Sequence, residues 1–375
     1  MRDINAILAQ FREISTNPHK QLDKITAEGK KAVGCIPYFY PEELVSACGM
    51  VPFGLWGAEM EVTEAKAYYP AFICSLLQTI LEQGIRGMLD KLSAVIIPLS
   101  CDSMKNMRLN WACGVPQVPF IDMPMAQNRK IEGGKAYTTA VFRKIQAQLA
   151  EISGYNPSDD DIQAAIASYN KNRKALREFS ALAGKHPELV TPSARCGVIK
   201  ARYFMEVAEH TAMVEELNAL LAEAPVEKWK GYKVVTTGII ADSKDLLKIF
   251  EDNKIAIVDD EVTHESIYFR EDTPVLADPV RAMAERIGNI EGCSVLYDPG
   301  KKRAHMLVDI VKASGAQGVV FVMTKFCDPE EYDFVPVKKA LADAGIPLLQ
   351  IEVDQQMKNY EQARSAIETF VDIME

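Results

Sequence analysis

The chain has 375 residues, 48% of them hydrophobic and 25% charged, and no low-complexity tract. A chain of this length is too long to form one ordinary hydrophobic core, which predicts two domains. A net charge of −10 and a pI near 5.2 argue against nucleic acid or an anionic membrane as the main partner. The apolar runs are too short to span a bilayer and the N-terminus lacks a secretory hydrophobic region, so we expect a cytoplasmic protein.

The first part of the chain alternates strand and helix patterns. The predicted strands are "KAVGCIPYFY", "VPFGLWG", "LSAVIIPLS" and "VPQVPFIDMP". The helices "PEELVSACG" and "PAFICSLLQTILEQG" each have a proline near the start and a glycine at the end, which favours those boundaries. Strands that alternate with helices indicate a mainly parallel sheet.

Two long helical patterns follow, over 159–183 and 193–222. The first has Ser158 as a cap with Asp161 three residues later, and its apolar residues recur at helical spacing. Ala224-Pro225 ends the second pattern and marks a plausible boundary. We interpret residues 136–222, approximately, as a helical connector.

The C-terminal part repeats the order of strands and helices. Its predicted strands are "GYKVVTTGII", "KIAIVDDE", "GVVFVMTK" and "IPLLQIEVD", and an amphipathic helix closes the chain. The sequence therefore predicts an α/β fold with two Rossmann-like lobes, mainly parallel sheets and a helical connector. The predicted domains are 1–228, an α/β lobe with the connector, and 229–375, a second α/β lobe.

Three of the eight cysteines lie near predicted helix starts. Cys101 and Cys327 each follow an apolar strand and precede an aspartate that is a good N-cap, so they occupy equivalent places in the two lobes. Cys74 lies in the first turns of a helix that starts near Pro70. Helix N-termini favour thiolates, the form that binds metal. Their spacing matches no compact ligand motif, so a metal site and a role in the core both stay open.

The other cysteines are interpreted as structural. Cys35 lies in a strand, Cys48 at a helix end and Cys196 in a helix, while Cys113 and Cys293 lie in less regular stretches. No CxxC pair and no HxxxH spacing occurs, which disfavours a zinc ribbon or a thioredoxin-type site.

Several stretches of the chain resemble one enzyme family from end to end. They are "PYFYPEEL", "VPFGLWGAE", "YYPAFICS", "AVIIPLSCD", "AQNRKIEGG", "VTTGIIADSKDLL", "IVDDE", "IEGCS", "KFCDPEEYD" and "IEVDQQ" with "EQARSAIETF". With them the chain is similar to the smaller (β) subunit of the (R)-2-hydroxyacyl-CoA dehydratases of amino-acid-fermenting anaerobes.

This resemblance implies a 4Fe–4S cluster that is held by Cys74, Cys101 and Cys327, with a non-protein ligand on the fourth iron. It implies an enzyme, a hydro-lyase, that is active only as a complex with a homologous α subunit. In that family, one electron added to the thioester of a 2-hydroxyacyl-CoA substrate gives a ketyl radical, which loses hydroxide on the way to the 2,3-enoyl-CoA. An ATP-dependent iron–sulfur activator protein supplies the electron, and the β cluster relays it.

Two alternatives stay open: a subunit of a benzoyl-CoA reductase-like enzyme, and a cluster-free structural partner of a catalytic α subunit. Lactyl, 2-hydroxyisocaproyl, phenyllactyl and 2-hydroxyglutaryl thioesters are all candidate substrates. We interpret Glu330 and Glu331 as acids that stabilise a first helical turn, and "GKKRAH" (300–305) as a solvated basic loop.

Overall fold

The computed structural model describes residues 3–374, which form eight strands and fifteen α-helices. The strands are β1 Ala32–Cys35, β2 Val51–Gly54, β3 Leu92–Leu99, β4 Phe120–Pro124, β5 Tyr232–Gly238, β6 Ile255–Val262, β7 Gly318–Thr324 and β8 Leu348–Val353. The helices of the first lobe and the connector are α1 Ile4–Thr16, α2 Pro18–Ala27, α3 Glu42–Ala47, α4 Ser75–Ile85, α5 Asp102–Gly114, α6 Glu132–Ser153, α7 Asp159–Lys185, α8 Pro192–Ala201 and α9 Val207–Glu223. Those of the second lobe are α10 Lys244–Asp252, α11 Ser266–Phe269, α12 Pro279–Asn289, α13 Lys302–Ser314, α14 Asp328–Asp343 and α15 Glu361–Met374.

The two sheets have the same strand order and are parallel throughout. The first runs β2-β1-β3-β4 and the second β6-β5-β7-β8. In each sheet the first and third strands of the lobe are neighbours, and the order reverses between them. Open α/β sheets bind ligands at the carboxyl ends of strands at such a point. The predicted fold of two Rossmann-like lobes is confirmed, with switch points between β1 and β3 and between β5 and β7.

The connector differs from its prediction in one place. The helix predicted over 159–183 is α7, and Ser158 and Asp161 form its capping box. The single helix predicted over 193–222 is wrong, because the chain breaks between α8 and α9 and Met205 takes an extended conformation. Arg202 explains the break: its buried guanidinium pairs with Glu42 of α3, and this tertiary contact outweighs the helical pattern.

One apolar core joins the first sheet, the connector and part of the second lobe. It contains Val95 of β3, Leu176 of α7 and Tyr268 of α11, among others. The predicted domain boundary near residue 228 stays a prediction. None of the helices within residues 3–374 combines the length and the apolar composition that crossing a bilayer requires.

Buried ion pairs attach the connector to the first lobe. Arg173 of α7 is fully buried and pairs with Glu42, at 3.1 Å, and with Glu43 at the start of α3. Burial works to raise the pKa of Glu43, but the charges of Arg173 and Arg286 and the hydrogen bond from Arg173 together keep that pKa below its usual value. Removal of one partner would leave charge buried without compensation, which is strongly unfavourable.

We therefore expect Arg173→Met to lower the free energy of unfolding by about 3–5 kcal/mol. Lys171→Met on the same helix is the matched control, because Lys171 pairs with Glu215 at the surface, and its loss is worth less than about 1 kcal/mol. Urea unfolding followed by circular dichroism measures both. A similarly small decrease in the free energy of unfolding for the two variants would show that the buried ion pair does not stabilise the fold.

Candidate functional site

Each of the three cysteines singled out above is the N-cap of a helix. Cys74 precedes α4, Cys101 precedes α5, and Cys327 precedes α14. The prediction placed Asp102 and Asp328 at the caps and Cys74 within a helix from Pro70, so each predicted start was wrong. The aspartates instead occupy the first helical position, where their charge suits the helix N-terminus.

Backbone N–H groups of the following turn lower the pKa values of these thiols. The amide of Leu77 does so for Cys74, those of Ser103 and Met104 for Cys101, and that of Glu330 for Cys327, although none of the three sulfurs accepts a capping hydrogen bond. Such donors stabilise a thiolate and tune an iron–sulfur centre.

Burial nevertheless dominates the acidity of the three thiols. It raises the pKa of Cys74 to about 12, and it raises the pKa values of Cys101 and Cys327 above the usual value as well. The helix N-termini favour the thiolates as expected, but in the metal-free chain burial outweighs this effect. The free thiols are protonated at neutral pH, and a bound cation would have to displace the protons.

The structure brings the three half-buried thiols close enough, at the junction of the two lobes, for their charges to interact, and we call this region the cleft. Burial and the charge of Glu330 raise the pKa of Cys327 most, and negative charge on Cys74 and on Cys101 would raise it further. Negative charge on Cys101 would likewise raise the pKa of Cys74. Within residues 3–374, no group of three or more His, Cys, Asp or Glu side chains could hold a metal ion. A four-iron cluster takes its cysteines at separate corners, so it spaces them more widely than a single ion does.

The remaining cysteines lie where their sequence patterns indicated, and the structure adds how far each one is buried. Cys35, Cys48 and Cys196 are buried, and Cys113 is exposed on α5. Cys293 is buried as well, with its sulfur 3.2 Å from the Thr263 hydroxyl. It lies close enough to the cleft for its charge to act on Tyr38.

A glutamine from the second lobe fastens the lobes together beside Cys74. The loop after β8 places Gln355 against α4: its backbone N–H donates to Ser75 Oγ at 3.0 Å, and its side-chain oxygen accepts from Thr79 at 2.6 Å. The side-chain nitrogen donates to the carbonyl of Trp56 at 2.8 Å. The sequence contained Gln355 only as part of the stretch "IEVDQQ", and no local pattern marked it as a lobe contact.

Buried charges lie behind Cys327. Glu330 is fully buried, with one oxygen 3.2 Å from the Thr324 amide and the other 3.7 Å from Arg303. Burial raises the pKa of Glu330 to about 7, although Arg303 opposes the shift.

The interpretation of residues 300–305 as a solvated loop is wrong, because α13 begins at Lys302 and Arg303 is buried between Glu330 and Glu261. The interpretation of Glu330 as a simple first-turn acid is incomplete for the same reason.

Fold and site together define a two-lobed α/β protein with parallel sheets and three half-buried thiols at helix N-termini. A family model described as "2-hydroxyglutaryl-CoA dehydratase, D-component" matches residues 37–374. The chain belongs to this family.

Curated relatives match over the full length. The (R)-phenyllactyl-CoA dehydratase beta subunit of Clostridium sporogenes is 46% identical over 371 residues, which are 99% of each chain. The (R)-2-hydroxyglutaryl-CoA dehydratase subunit beta of Acidaminococcus fermentans is 40% identical, over 98% of this chain and 99% of the relative. The lactoyl-CoA dehydratase subunit beta of Anaerotignum propionicum is 38% identical over the whole of both chains. The resemblance to dehydratase β subunits is confirmed.

We expect Gln355→Ala to weaken the contact between the lobes, since it removes the partners of Thr79 Oγ1 and of the Trp56 carbonyl. The free energy of unfolding should fall by about 1–3 kcal/mol, and the amides of residues 75–79 should exchange faster with deuterium. Gln350→Ala is the control: Gln350 is exposed on β8, and its loss should stay within about 0.5 kcal/mol. Unchanged exchange in Gln355→Ala would show that the lobes are held elsewhere.

Proposed function

We propose that the chain is the β subunit of a 2-hydroxyacyl-CoA dehydratase, a hydro-lyase that converts an (R)-2-hydroxyacyl-CoA into the 2,3-enoyl-CoA. Three full-length relatives support this, all of them named as β subunits of such dehydratases. They are named for three different acyl groups, so we assign choice of the acyl group to the α partner rather than to this chain.

We further propose that Cys74, Cys101 and Cys327 hold a 4Fe–4S cluster, with a non-protein ligand on the fourth iron. The observation that supports this proposal is that three half-buried thiols at three helix N-termini lie close enough for their charges to interact, and that backbone N–H groups lower the pKa of each. Cysteine sulfur with amide donors is the ligand chemistry that such clusters take. When bound, the cluster would supply the single low-potential electron that turns the substrate thioester into a ketyl radical anion.

The contribution of the chain itself is placement and exclusion of water. The β-hydrogen of the substrate is not acidic, and acid–base catalysis, typically worth about 10²–10⁴-fold, is insufficient alone. The thiols are half-buried, backbone N–H groups stabilise negative charge on sulfur, and Gln355 keeps the lobes together. Such placement and dryness are what a protein adds to chemistry that belongs to its cofactor.

Two protein partners follow from this assignment: the homologous α subunit and an ATP-dependent iron–sulfur activator. The chain contains no GxxxxGK[ST] phosphate loop, which agrees with a separate ATP-hydrolysing protein.

All eight cysteines, which lie within the described residues, are free thiols. Free thiols are typical of a reducing compartment, so we propose a cytoplasmic location.

The cluster assignment predicts about four irons, with equal acid-labile sulfide, per chain after anaerobic purification. Cys327→Ala should lower that iron content and abolish activity of the assembled complex. The control Cys48→Ala replaces a buried thiol at the end of α3, and it should do neither. Equal losses in the two variants would refute the ligand assignment, and absence of iron from the native chain would favour the cluster-free structural partner.

The reaction assignment predicts dehydration of 2-hydroxyacyl-CoA thioesters by the complex of this chain, its α subunit and the activator with ATP. Enoyl-CoA formation from lactyl, 2-hydroxyisocaproyl, phenyllactyl and 2-hydroxyglutaryl thioesters is measured by liquid chromatography and mass spectrometry. Benzoyl-CoA, tested in the same assay, should not be reduced. Ring reduction without dehydration would move the chain to the benzoyl-CoA reductase-like alternative.

A further inference from the structure

A cavity of 430 Å³ lies at the outer edge of the second sheet, where β6 is the last strand. Its lining comes from α7, β6, α11 and α13. β5 separates β6 from β7, the strand that leads to Cys327. Ala181 and Asp309 line the cavity and are exposed, so it opens to solvent. Binding sites for small molecules have volumes of this order.

A β-bulge turns two successive residues of β6 into this cavity. In the register with β5, Ile257 and Asp259 have partners and Val258 has none. Successive side chains of a regular strand point to opposite faces, yet Val258 and Asp259 both line the cavity. Bulges re-aim side chains in this way, and they are frequent at sheet edges and next to active sites.

Guanidinium groups lie at one end of the cavity, next to α11. Arg177 donates to the Phe269 carbonyl at 2.8 Å, and its charge is compensated by Asp272, to which it donates twice, at 3.0 and 2.8 Å. Arg270 is less well bonded: none of its hydrogen bonds is shorter than 3.2 Å, and its carboxyl partner, Glu261, is 3.7 Å away. That separation is too long for a hydrogen bond. Arg270 therefore keeps donors for an anionic group of a ligand.

Carboxyl groups lie at the other end, beside the middle of β6. α7 passes close to the strand here, since a Cβ atom at Gly184 would lie 2.5 Å from the Val258 carbonyl oxygen. Asp259 follows directly, and Asp309 of α13 lines the same cavity. Within residues 3–374, neither carboxyl has a Lys, Arg or His partner at ion-pair distance. This end of the cavity therefore suits a cationic group.

The two ends are close together. Burial and the charge of Asp260 raise the pKa of Asp259, whereas the charges of Arg195 and Arg270 lower it. Arg270 is thus near enough for its charge to act on Asp259. The two side chains can hold opposite charges of one small molecule.

Apolar side chains form much of the remaining wall. They are Phe269 of α11, with Met306 and Ile310 of α13. Aromatic rings pack favourably on one another, and methionine sulfur packs favourably on a ring. A cavity of this volume with such walls suits a large apolar or aromatic group.

We infer that this cavity binds a free α-amino acid with a large apolar or aromatic side chain, its carboxylate on Arg270 and its ammonium on Asp259. The ligand side chain would lie against Phe269 and Met306. A ligand with a single charge would leave Arg270 or Asp259 desolvated and unpaired, which selects against it. The inference depends neither on the proposed cluster nor on the proposed reaction.

Isothermal titration calorimetry of the full chain tests this site with L-phenylalanine, L-tryptophan, L-leucine and L-methionine. We expect saturable binding of at least one of them, with a dissociation constant below about 1 mM. Phenethylamine lacks the carboxylate, hydrocinnamate lacks the ammonium and glycine lacks the side chain. Each should bind at least about tenfold more weakly than L-phenylalanine, because a hydrogen bond to a charged group is worth about that factor.

Two substitutions locate the binding. Ala181→Phe fills the cavity from an exposed position on α7 and should weaken binding at least about tenfold, at an unchanged midpoint of thermal unfolding. Ala167→Phe is the matched control, because Ala167 is exposed on the same helix outside the cavity. Asp259→Asn keeps an oxygen for the Asp260 amide, which donates to Asp259 at 2.8 Å. It should weaken binding of L-phenylalanine and leave binding of hydrocinnamate unchanged.

The contrary outcomes are equally definite. Failure of all four amino acids to bind overturns the inference, and equal affinity for L-phenylalanine and phenethylamine overturns recognition of a zwitterion. Equal affinity of Ala181→Phe and Ala167→Phe would place the bound amino acid outside this cavity. Cys327→Ala should bind with native affinity, so that loss of iron and loss of amino-acid binding are separate results.

Discussion

The junction between the lobes is the constraint on which the site depends, because its thiols come from both lobes. Cys74 and Cys101 belong to the first lobe and Cys327 to the second, so no fold of one lobe alone brings them together. Gln355 reaches across this junction to α4 and to the Trp56 carbonyl. The approach is so close that a Cβ atom at Gly57 would lie 2.2 Å from the Gln355 side-chain oxygen, and Gly57 also has a φ of +77°. A side chain at this position would be strained at that φ and would displace the Gln355 and Thr79 side chains from their contact.

Burial of so many ionisable groups in one region sets the electrostatic balance of the cleft. Desolvation raises the pKa values of the thiols and of Glu330 and Glu261, the last two to about 7. Arg303, buried between the two carboxyls, opposes those shifts. The Lys105 charge opposes the shift at Cys101, whereas within residues 3–374 no cation is among the main influences on Cys74 and Cys327. Iron would supply that positive charge, so the cleft gains compensation for its ionised sulfurs only when a metal centre forms.

The strands and their alternation with helices along the chain were predictable, because parallel, buried strands appear in the sequence as short apolar runs bounded by helix patterns. The equivalence of Cys101 and Cys327 followed from that repeat. Helix starts were off by a few residues, since an aspartate is favourable both as a cap and in the first turn, and only backbone conformation separates the two. The break at Met205 and the burial of Arg303 depend on partners distant in sequence. Gln355 escaped prediction for that same reason.

The two lobes share a strand order but differ in the loop that follows their first strand. After β1, the turn carries two successive aromatic residues, Tyr38 and Phe39, with φ values of +64° and +56°. After β5, the equivalent stretch carries small and aliphatic residues, Ile240 and Ala241 among them, and these line a narrow cavity against Ser75 and Gln355.

A buried aromatic cluster holds the two loops in register. The Trp56 ring that packs on Tyr38 also contacts His264 of the second lobe, with centroids 4.6 Å apart, and His264 stacks on Tyr203 of the connector. Burial lowers the pKa of His264 to about 3, so this contact is uncharged at neutral pH. Rigid rings that bridge both lobes oppose any opening of the cleft. A substrate site would need such an opening to admit a CoA thioester, whereas an electron needs none, so ring contacts that hold the lobes together agree with relay as the role proposed for this subunit.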